Sequence, residues 1–475
     1  MADSGSCSSS SSSSSSSAFP IVMLPWFAVG HMTPFLHLSN KLAEKGHKIT
    51  ILLPRKAQTQ LQHFNLHPDL ITLHPLTVPH VDGLPAGAET ASDVPMSSIN
   101  LLVIAMDRCR GQVEAVIKAA KPRLLFYDIA YWMATISKSL SIKCIKYNVV
   151  CAASIATALV PARNVPKDRP VTEAELAMPP AGYPSDTIVL RRHEARELTF
   201  ISFPFGEGMS FYERITTSLK ESDAISIRTC HEIEGDLCEY IARQYNKPVF
   251  LTGPVLHEPA KTPLEERWDK WLGGFERSSV VYCAFGSQII LEKKQFQELL
   301  LGLELTGLCF LIVLKPPTGA STVEEAFPDG FAERTKGRGV VCGEWVEQVP
   351  ILEHSSVGCF VNHCGFGSMW ESLMSDCQIV LVPHLGDQIL NTRLLAEELK
   401  VAVEVEREEN GWFSKESLCK AIKCVMDKES EVGNVVRRNH AKWKGTLVSP
   451  GFVSGYIDKF VQNMRGLVSC EVNTS

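Results

Sequence analysis

No run of apolar residues in this chain approaches the roughly 20 that a membrane-crossing helix needs. The closest stretch, residues 149–160, carries Ser154 and Thr157 and stops at Pro161, so it reads as a buried helix. A basic excess is also missing. Lys and Arg number 47 against 53 Asp and Glu, for a net charge of −6, and no positive field recommends nucleic acid as a partner. The 15 cysteines are odd in number, scattered and without a Cys-x-x-Cys pair, which fits reduced thiols in the cytoplasm. No Asp-x-Asp occurs, a spacing that would have pointed to a metal holding a diphosphate. No short internal repeat is present. Arginine is absent before Arg55, so the polyserine run at 8–17 lacks the basic residues of a transit peptide, and it is too polar for a secretory signal. A disordered tail over 1–18 is the expectation.

What is present is an ordinary globular composition, 45% hydrophobic and 21% charged, in 475 residues. That length accommodates two domains of roughly 200 residues each. The pattern is α/β throughout. Near the amino end, an apolar strand at 21–24 leads into a loop at 25–32 that contains Gly30-His31. A helix is predicted over 33–45, with Pro34 in its first turn, Gly46 closing it, and Asn40, Lys41 and Lys45 facing solvent. A strand at 49–53 completes a βαβ unit. Further along, a helix is expected at 98–119 and a strand at 123–127. Asp128 falls at the end of that strand, where it either caps a helix over 129–139 or serves a site. A strand at 144–149 and a small-residue helix at 151–159 follow. Asn148 and Ser154 there, and residues between 194 and 211 in a Pro-rich stretch, are candidates to line a ligand cleft. Pro259, Pro263 and several charges mark a linker. A second α/β run then begins, with a strand at 280–284 that ends in Gly286-Ser287.

The most informative stretch is 345–388. It opens on Trp345, with Gln348 three residues later. An apolar strand breaks into Asn362-His363-Cys364-Gly365-Phe366-Gly367-Ser368, a helical pattern follows at 369–374, and a second strand leads to a loop carrying Gly386-Asp387-Gln388. Gly365 and Gly367 let backbone approach a ligand closely. Ser368 opens a helix whose free N–H groups and positive dipole end suit a phosphate. His363 offers a hydrogen bond or a positive charge. Glu371 stands where a carboxylate accepts from ribose hydroxyls, and Asp387 with Gln388 offers acceptors and a donor to a polyol. Each part alone also suits a purely structural role. Together they describe a site for a nucleotide with a sugar attached.

This segment resembles the donor-binding signature of the plant family 1 UDP-sugar-dependent glycosyltransferases, which also runs from Trp to Gln. The resemblance extends over nearly the whole chain, from Phe19 to about Arg465. It implies a GT-B fold, in which two Rossmann-like domains with parallel sheets face a central cleft. The expected division is 19–254 for the acceptor-binding domain, 255–265 for the linker and 266–450 for the UDP-sugar-binding domain. Residues 451–475 would form a helix returning to the first domain and then a tail. The resemblance also implies roles. Trp345 would stack on uracil, Gln348 and Glu371 would hold the ribose side, and Asp387 and Gln388 would bind the sugar. His363, Ser368 and Ser287 would contact the diphosphate, with Val346, Gly365, Phe366 and Gly367 completing the donor set. His31 would be the general base and Asp128 its partner. An imidazole suits proton removal near neutral pH, and a carboxylate beside it fixes its tautomer and stabilises the imidazolium.

Two departures stand out. Phe366-Gly367 replaces the usual Trp-Asn, so backbone N–H groups serve where an Asn side chain would touch phosphate. Val346-Glu347 replaces Ala-Pro after the Trp. The Gly-Phe-Gly-Ser-Met-Trp-Glu-Ser version is similar to a subgroup that adds sugar to the sugar of a flavonoid glycoside. The expectation is therefore a monomeric, cytoplasmic enzyme that uses a UDP-sugar as co-substrate, a small-molecule glycoside as acceptor, and no cofactor or metal. Glucose, xylose, rhamnose and galactose all remain open as the sugar. A flavonoid aglycone or a terpenoid is the alternative acceptor. A non-catalytic UDP-sugar or metabolite binder is the rival of a different class, and the pairing of His31 with Asp128 speaks against it. A nicotinamide-dependent oxidoreductase would need Gly-x-Gly-x-x-Gly after a strand, and here Trp370 stands at the third position.

Overall fold

The computed structural model describes residues 18–256, 264–286 and 288–469. The polyserine run, most of the linker and Ser287 lie outside them. Strands β1 (Pro20–Leu24), β2 (Lys48–Pro54), β3 (Ile71–Leu76), β4 (Leu124–Tyr127), β5 (Lys143–Asn148), β6 (Ala224–Ile227) and β7 (Val249–Leu251) form a parallel sheet in the order β3-β2-β1-β4-β5-β6-β7. Strands β8 (Val280–Ala284), β9 (Cys309–Val313), β10 (Gly339–Cys342), β11 (Val357–Asn362), β12 (Gln378–Leu381) and β13 (Ala402–Glu404) form a second, in the order β10-β9-β8-β11-β12-β13. Central strands such as Leu124–Tyr127 and Val280–Ala284 are buried at every position. Helices cover both faces, which is why these strands are continuous apolar runs rather than alternating ones.

Each strand order reverses once, between β1 and β4 in the first sheet and between β8 and β11 in the second. Ligands of open α/β sheets bind beyond the carboxyl ends of the strands at such a reversal. The helix start just after β1 carries His31 and the loop after β4 carries Asp128, and the loops after β8 and β11 carry Gly286 and His363. Topology alone thus places both candidate clusters at the two switch points.

One hydrophobic core spans the two halves. It joins Trp132, Ala153 and Leu198 of the first to Phe366, Trp370, Ile389 and Leu395 of the second. The last helix, Phe452–Ser469, returns to the first sheet and buries Ile457, Phe460, Val461 and Met464 beside Met23, Phe126 and Phe250. Tyr456 on the same helix donates to Glu232 at 2.6 Å and accepts from the His231 N–H at 2.7 Å.

Several expectations are corrected. The first helix runs Val29–Glu44, so it starts four residues early and Pro34 lies inside it. The chain turns directly after Phe27, and the Ala28 carbonyl accepts from both His31 and Met32. Asn40 is buried rather than solvent-facing; its amide donates to the Phe64 carbonyl at 2.9 Å and accepts from Leu66 N–H at 3.1 Å. The helix expected at 98–119 breaks at Cys109 into Ile99–Arg108 and Arg110–Ala120. The next begins only at Met133, with Trp132 at its cap, so Asp128 is not a helix cap. In the donor stretch the helix starts at Phe366 behind Gly365, which makes Ser368 its third residue. Asp387 and Gln388 belong to the first turn of helix Gly386–Thr392, not to a loop, because Gln388 folds back to close that helix. Beyond Thr392 the chain stays helical as a π-helical segment, Arg393–Glu398.

Candidate active site

His31 is the third residue of its helix, and its Nδ1 lies 2.5 Å from Asp128 Oδ2. Asp128 is buried at the end of β4, where its N–H reaches the Leu24 carbonyl at 3.2 Å and fixes the carboxylate against the loop after β1. Its other oxygen, Oδ1, accepts from the Lys146 ammonium at 3.0 Å. Burial alone would raise the pKa of Asp128; the Lys146 charge and then His31 outweigh it and hold the carboxyl well below the ordinary carboxylate range. With Nδ1 committed to the carboxylate, Nε2 of His31 is the nitrogen left for an incoming hydroxyl. Lys146 escaped the sequence reading, although a lysine inside the apolar strand Lys143–Asn148 was a visible anomaly.

On the opposite half, His363 follows β11 and packs between two glycines. A Cβ on Gly286 would lie 3.0 Å from His363 Cε1, and one on Gly365 would lie 2.5 Å from Nε2. Enclosure by the surrounding chain, and then the neighbouring His384, push the His363 imidazole down to about 3. The ring is therefore neutral at physiological pH. It offers a hydrogen bond but not the positive charge that the sequence allowed. Cys364 adopts a left-handed backbone with φ of 57°. Asn362 Oδ1 accepts its N–H and Asn391 Nδ2 donates to its carbonyl, both at 2.8 Å, so the turn is held from two sides. A Cβ on Gly367 would meet nothing within 4 Å, so its backbone fronts open space at the start of the helix.

Gln348 Nε2 donates to Ser368 Oγ at 3.2 Å and also to Glu371. These three predicted residues form one cluster, in which burial raises the Glu371 carboxyl against the opposing pull of Gln348 and Arg228. Trp345 is 71% exposed, which leaves its indole face free to stack, whereas Val346 is buried in the core beneath it. Gln388 Oε1 accepts from the N–H groups of His384 at 2.9 Å and Leu385 at 3.0 Å, which leaves its NH₂ as the free end. Asp387 is raised by burial and pulled back first by His31, so the donor-side helix faces the candidate base across the cleft. The close approach is enforced at Gly386, where a Cβ would sit 2.5 Å from Leu198 of the first half.

The acceptor candidates fare differently. Asn148 is buried and its NH₂ donates to the Ser226 carbonyl at 2.9 Å, tying β5 to β6. Ser154 is buried in the first turn of helix Ala152–Ala158, with its Oγ 3.0 Å from Cys151 Sγ. Both side chains are engaged within the fold. Arg228, unread from the sequence, is buried after β6 with its guanidinium carbon 5.8 Å from the centre of the Phe366 ring. A cavity of about 160 Å³ between the halves is lined by His193 and Glu197 on one side and His384 and Arg407 on the other. A larger depression of about 420 Å³, by Asp376 and Lys444, touches none of the site residues. Among the described residues, no three His, Cys, Asp or Glu side chains converge as a metal site would require, and no helix is long and apolar enough to cross a membrane.

Residues 252–442 match the family model described as UDP-glucoronosyl and UDP-glucosyl transferase. UDP-glycosyltransferase 79B3 of Arabidopsis thaliana is 58% identical over 454 residues, covering 95% of this chain and 98% of that protein. The chain belongs to the UDP-glycosyltransferase family. Another similar protein, 57% identical over 453 residues and covering 94% of this chain and 97% of its own length, is the anthocyanidin 3-O-glucoside 2'''-O-xylosyltransferase of Arabidopsis thaliana. The crystal structure of Glycyrrhiza uralensis UGT73P12 with glycyrrhetinic acid 3-O-monoglucuronide superposes with a TM-score of 0.79 at 20% identity, covering 96% of this chain and 98% of that one. The GT-B fold and the family 1 resemblance are thereby borne out, and the nicotinamide reading is displaced. The protein is an enzyme, a UDP-glycosyltransferase of the plant type, and a UDP-sugar is the donor that its family uses.

Proposed function

We propose that this glycosyltransferase moves a sugar from a UDP-sugar, with inversion, onto a hydroxyl of the sugar moiety of a flavonoid 3-O-glycoside. The observation that carries the chemistry is the His31–Asp128 pair, held at 2.5 Å and facing Asp387 of the donor helix. His31 Nε2 takes the proton of the acceptor hydroxyl as its oxygen attacks the anomeric carbon. The bond from that carbon to the diphosphate oxygen breaks on the far side, and UDP leaves. Asp128 stays ionised and stabilises the imidazolium. Diphosphate charge is met by preorganised neutral donors, namely the N-terminus of helix Phe366–Met374, Ser368 and the His363 ring, and the family resemblance assigns Ser287 to the same group. Trp345 stacks on uracil over the buried Val346, Gln348 and Glu371 take the ribose, and Asp387 with the free NH₂ of Gln388 takes the sugar hydroxyls. Residues 19–254 serve the acceptor and 266–450 the donor, with helix Phe452–Ser469 returning to the first half. The described cysteines are unpaired, which supports a cytoplasmic location, and a monomer is the state proposed with it.

The glycoside reading draws on the Phe366-Gly367 turn and on the xylosyltransferase relative. A mass-spectrometric assay tests it by crossing UDP-glucose, UDP-xylose, UDP-rhamnose and UDP-galactose with flavonol and anthocyanidin 3-O-glycosides and with their aglycones. The expected products carry a disaccharide that fragments as one unit. Turnover of aglycones alone would overturn the sugar-on-sugar assignment while leaving the enzyme class intact.

A further inference from the structure

Asp128 carries two partners where a dyad needs one. Its Oδ2 meets His31 Nδ1 at 2.5 Å, and its Oδ1 meets Lys146 Nζ at 3.0 Å. The lysine and aspartate side chains are 2% and 4% exposed, whereas His31 is 29% exposed toward the cleft. Lys146 sits on β5, beside β4, and the parallel register pairs it with Tyr127, the residue before Asp128. Its ammonium is therefore delivered to the carboxylate by the sheet itself. A lysine sealed inside a parallel sheet is costly unless its charge is paired, and a methionine would fill the same space without that cost.

We propose that Lys146 is a positioning residue of the transfer reaction. It holds Asp128 ionised in its buried seat and takes up part of the carboxylate charge, so that His31 remains free to accept the acceptor's proton at neutral pH. This inference rests on the reading of His31 as general base. Its physical content is a count of charge. With Lys146 present, carboxylate, ammonium and neutral imidazole sum to zero, and protonating His31 brings the cluster to +1. Without Lys146 the pair starts at −1 and gains stability on taking a proton from water, before any acceptor arrives. A base loaded in this way is unavailable for catalysis. The charged groups that bear on the imidazole are Asp128 from the end of β4, Lys146 from β5 through that carboxylate, and Asp387 from helix Gly386–Thr392 across the cleft.

The test is the pH profile of kcat/KM for K146M, K146R and H31A beside the parent enzyme, with UDP binding and the unfolding transition recorded for each. In K146M the acid limb should move to higher pH by about one unit or more, that is, a roughly tenfold lower kcat/KM on the acid side with recovery toward the alkaline plateau. K146R, which keeps the charge, should retain the parental limb position. UDP affinity should be unchanged in all three. A K146M profile that superimposes on the parent's, or one lowered by the same factor at every pH, would overturn the role assigned to Lys146. H31A settles the underlying reading separately, because only loss of that base removes turnover at every pH while leaving UDP binding intact. If H31A retains full activity, His31 is not the base, whatever K146M does. If K146M fails to give a cooperative unfolding transition, K146Q and the K146R profile carry the same comparison.

Discussion

His363 is closed in by Gly286 on one side and Gly365 on the other, and its ring takes a proton only near pH 3. The folded-state value lies below that of a free histidine, so the charged form is excluded throughout the range in which the enzyme works. UDP-sugar affinity should therefore not tighten as pH falls from about 8 to 5.5, a window in which an ordinary imidazole of pKa near 6.5 would become cationic. Calorimetry with a UDP-sugar is the proper measurement, since its diphosphate, unlike that of UDP, does not titrate there. A tenfold tightening across this window would mean that the imidazole becomes charged on the diphosphate. At this scale the sequence offers residue types but not their states. Nothing local to Asn-His-Cys-Gly reveals that Phe285, from another loop, packs against the ring, or that His384, beside Phe285, acts on it electrostatically. Lys146 was missed for the same reason. Its partner Asp128 lies 18 positions away and is brought to it only by strand pairing.

Elements show a sharper contrast between what is local and what is not. The strands were legible within one or two residues, because burial on both sheet faces demands unbroken apolar runs. Helix starts were less so. Pro34 was assigned to a first turn because proline costs nothing there, yet the helix begins at Val29 and tolerates it inside. The missing N–H removes one bond, to the Gly30 carbonyl, near an end where few bonds exist. The turn after β11 separates two glycines by their surroundings. A methyl on Gly365 collides with His363, while one on Gly367 projects into open space. Gly367→Ala should fold as stably as the parent or slightly better, since alanine is favoured over glycine in a helix by about 1 kcal/mol. It should also weaken UDP binding, because its methyl points where the phosphate is expected. Gly365→Ala should lower the denaturation midpoint and bind UDP weakly as well. If Gly367→Ala binds UDP as tightly as the parent, the phosphate lies elsewhere.

Across the whole molecule, the two halves are joined by a small charge cluster as well as by a shared core. Glu194 of the first half pairs with Arg393, which also holds Glu404, and Arg407 bridges Glu404 at 3.0 Å and Glu194 at 3.8 Å. All four side chains are at most 14% exposed. Two carboxylates and two guanidiniums cancel, and the π-helical turn that begins at Arg393 sets its side chain toward the first half. None of this was readable in advance, because the partners lie 199 positions apart and the cluster exists only once both sheets have formed. Its energetics follow from charge balance. Glu194→Gln leaves one buried positive charge in excess and Arg393→Met leaves one negative, so each should destabilise by about 3 kcal/mol or more. The double variant restores neutrality and should be no less stable than either single one. Urea unfolding of the four proteins measures this directly as a double-mutant cycle. A strongly positive coupling, with one cooperative transition in every variant, is the outcome expected of an interface that folds as part of a single core. If the two losses simply add, the ion pair contributes nothing to holding the halves together, and the apolar contacts of Leu198, Phe366 and Ile389 suffice.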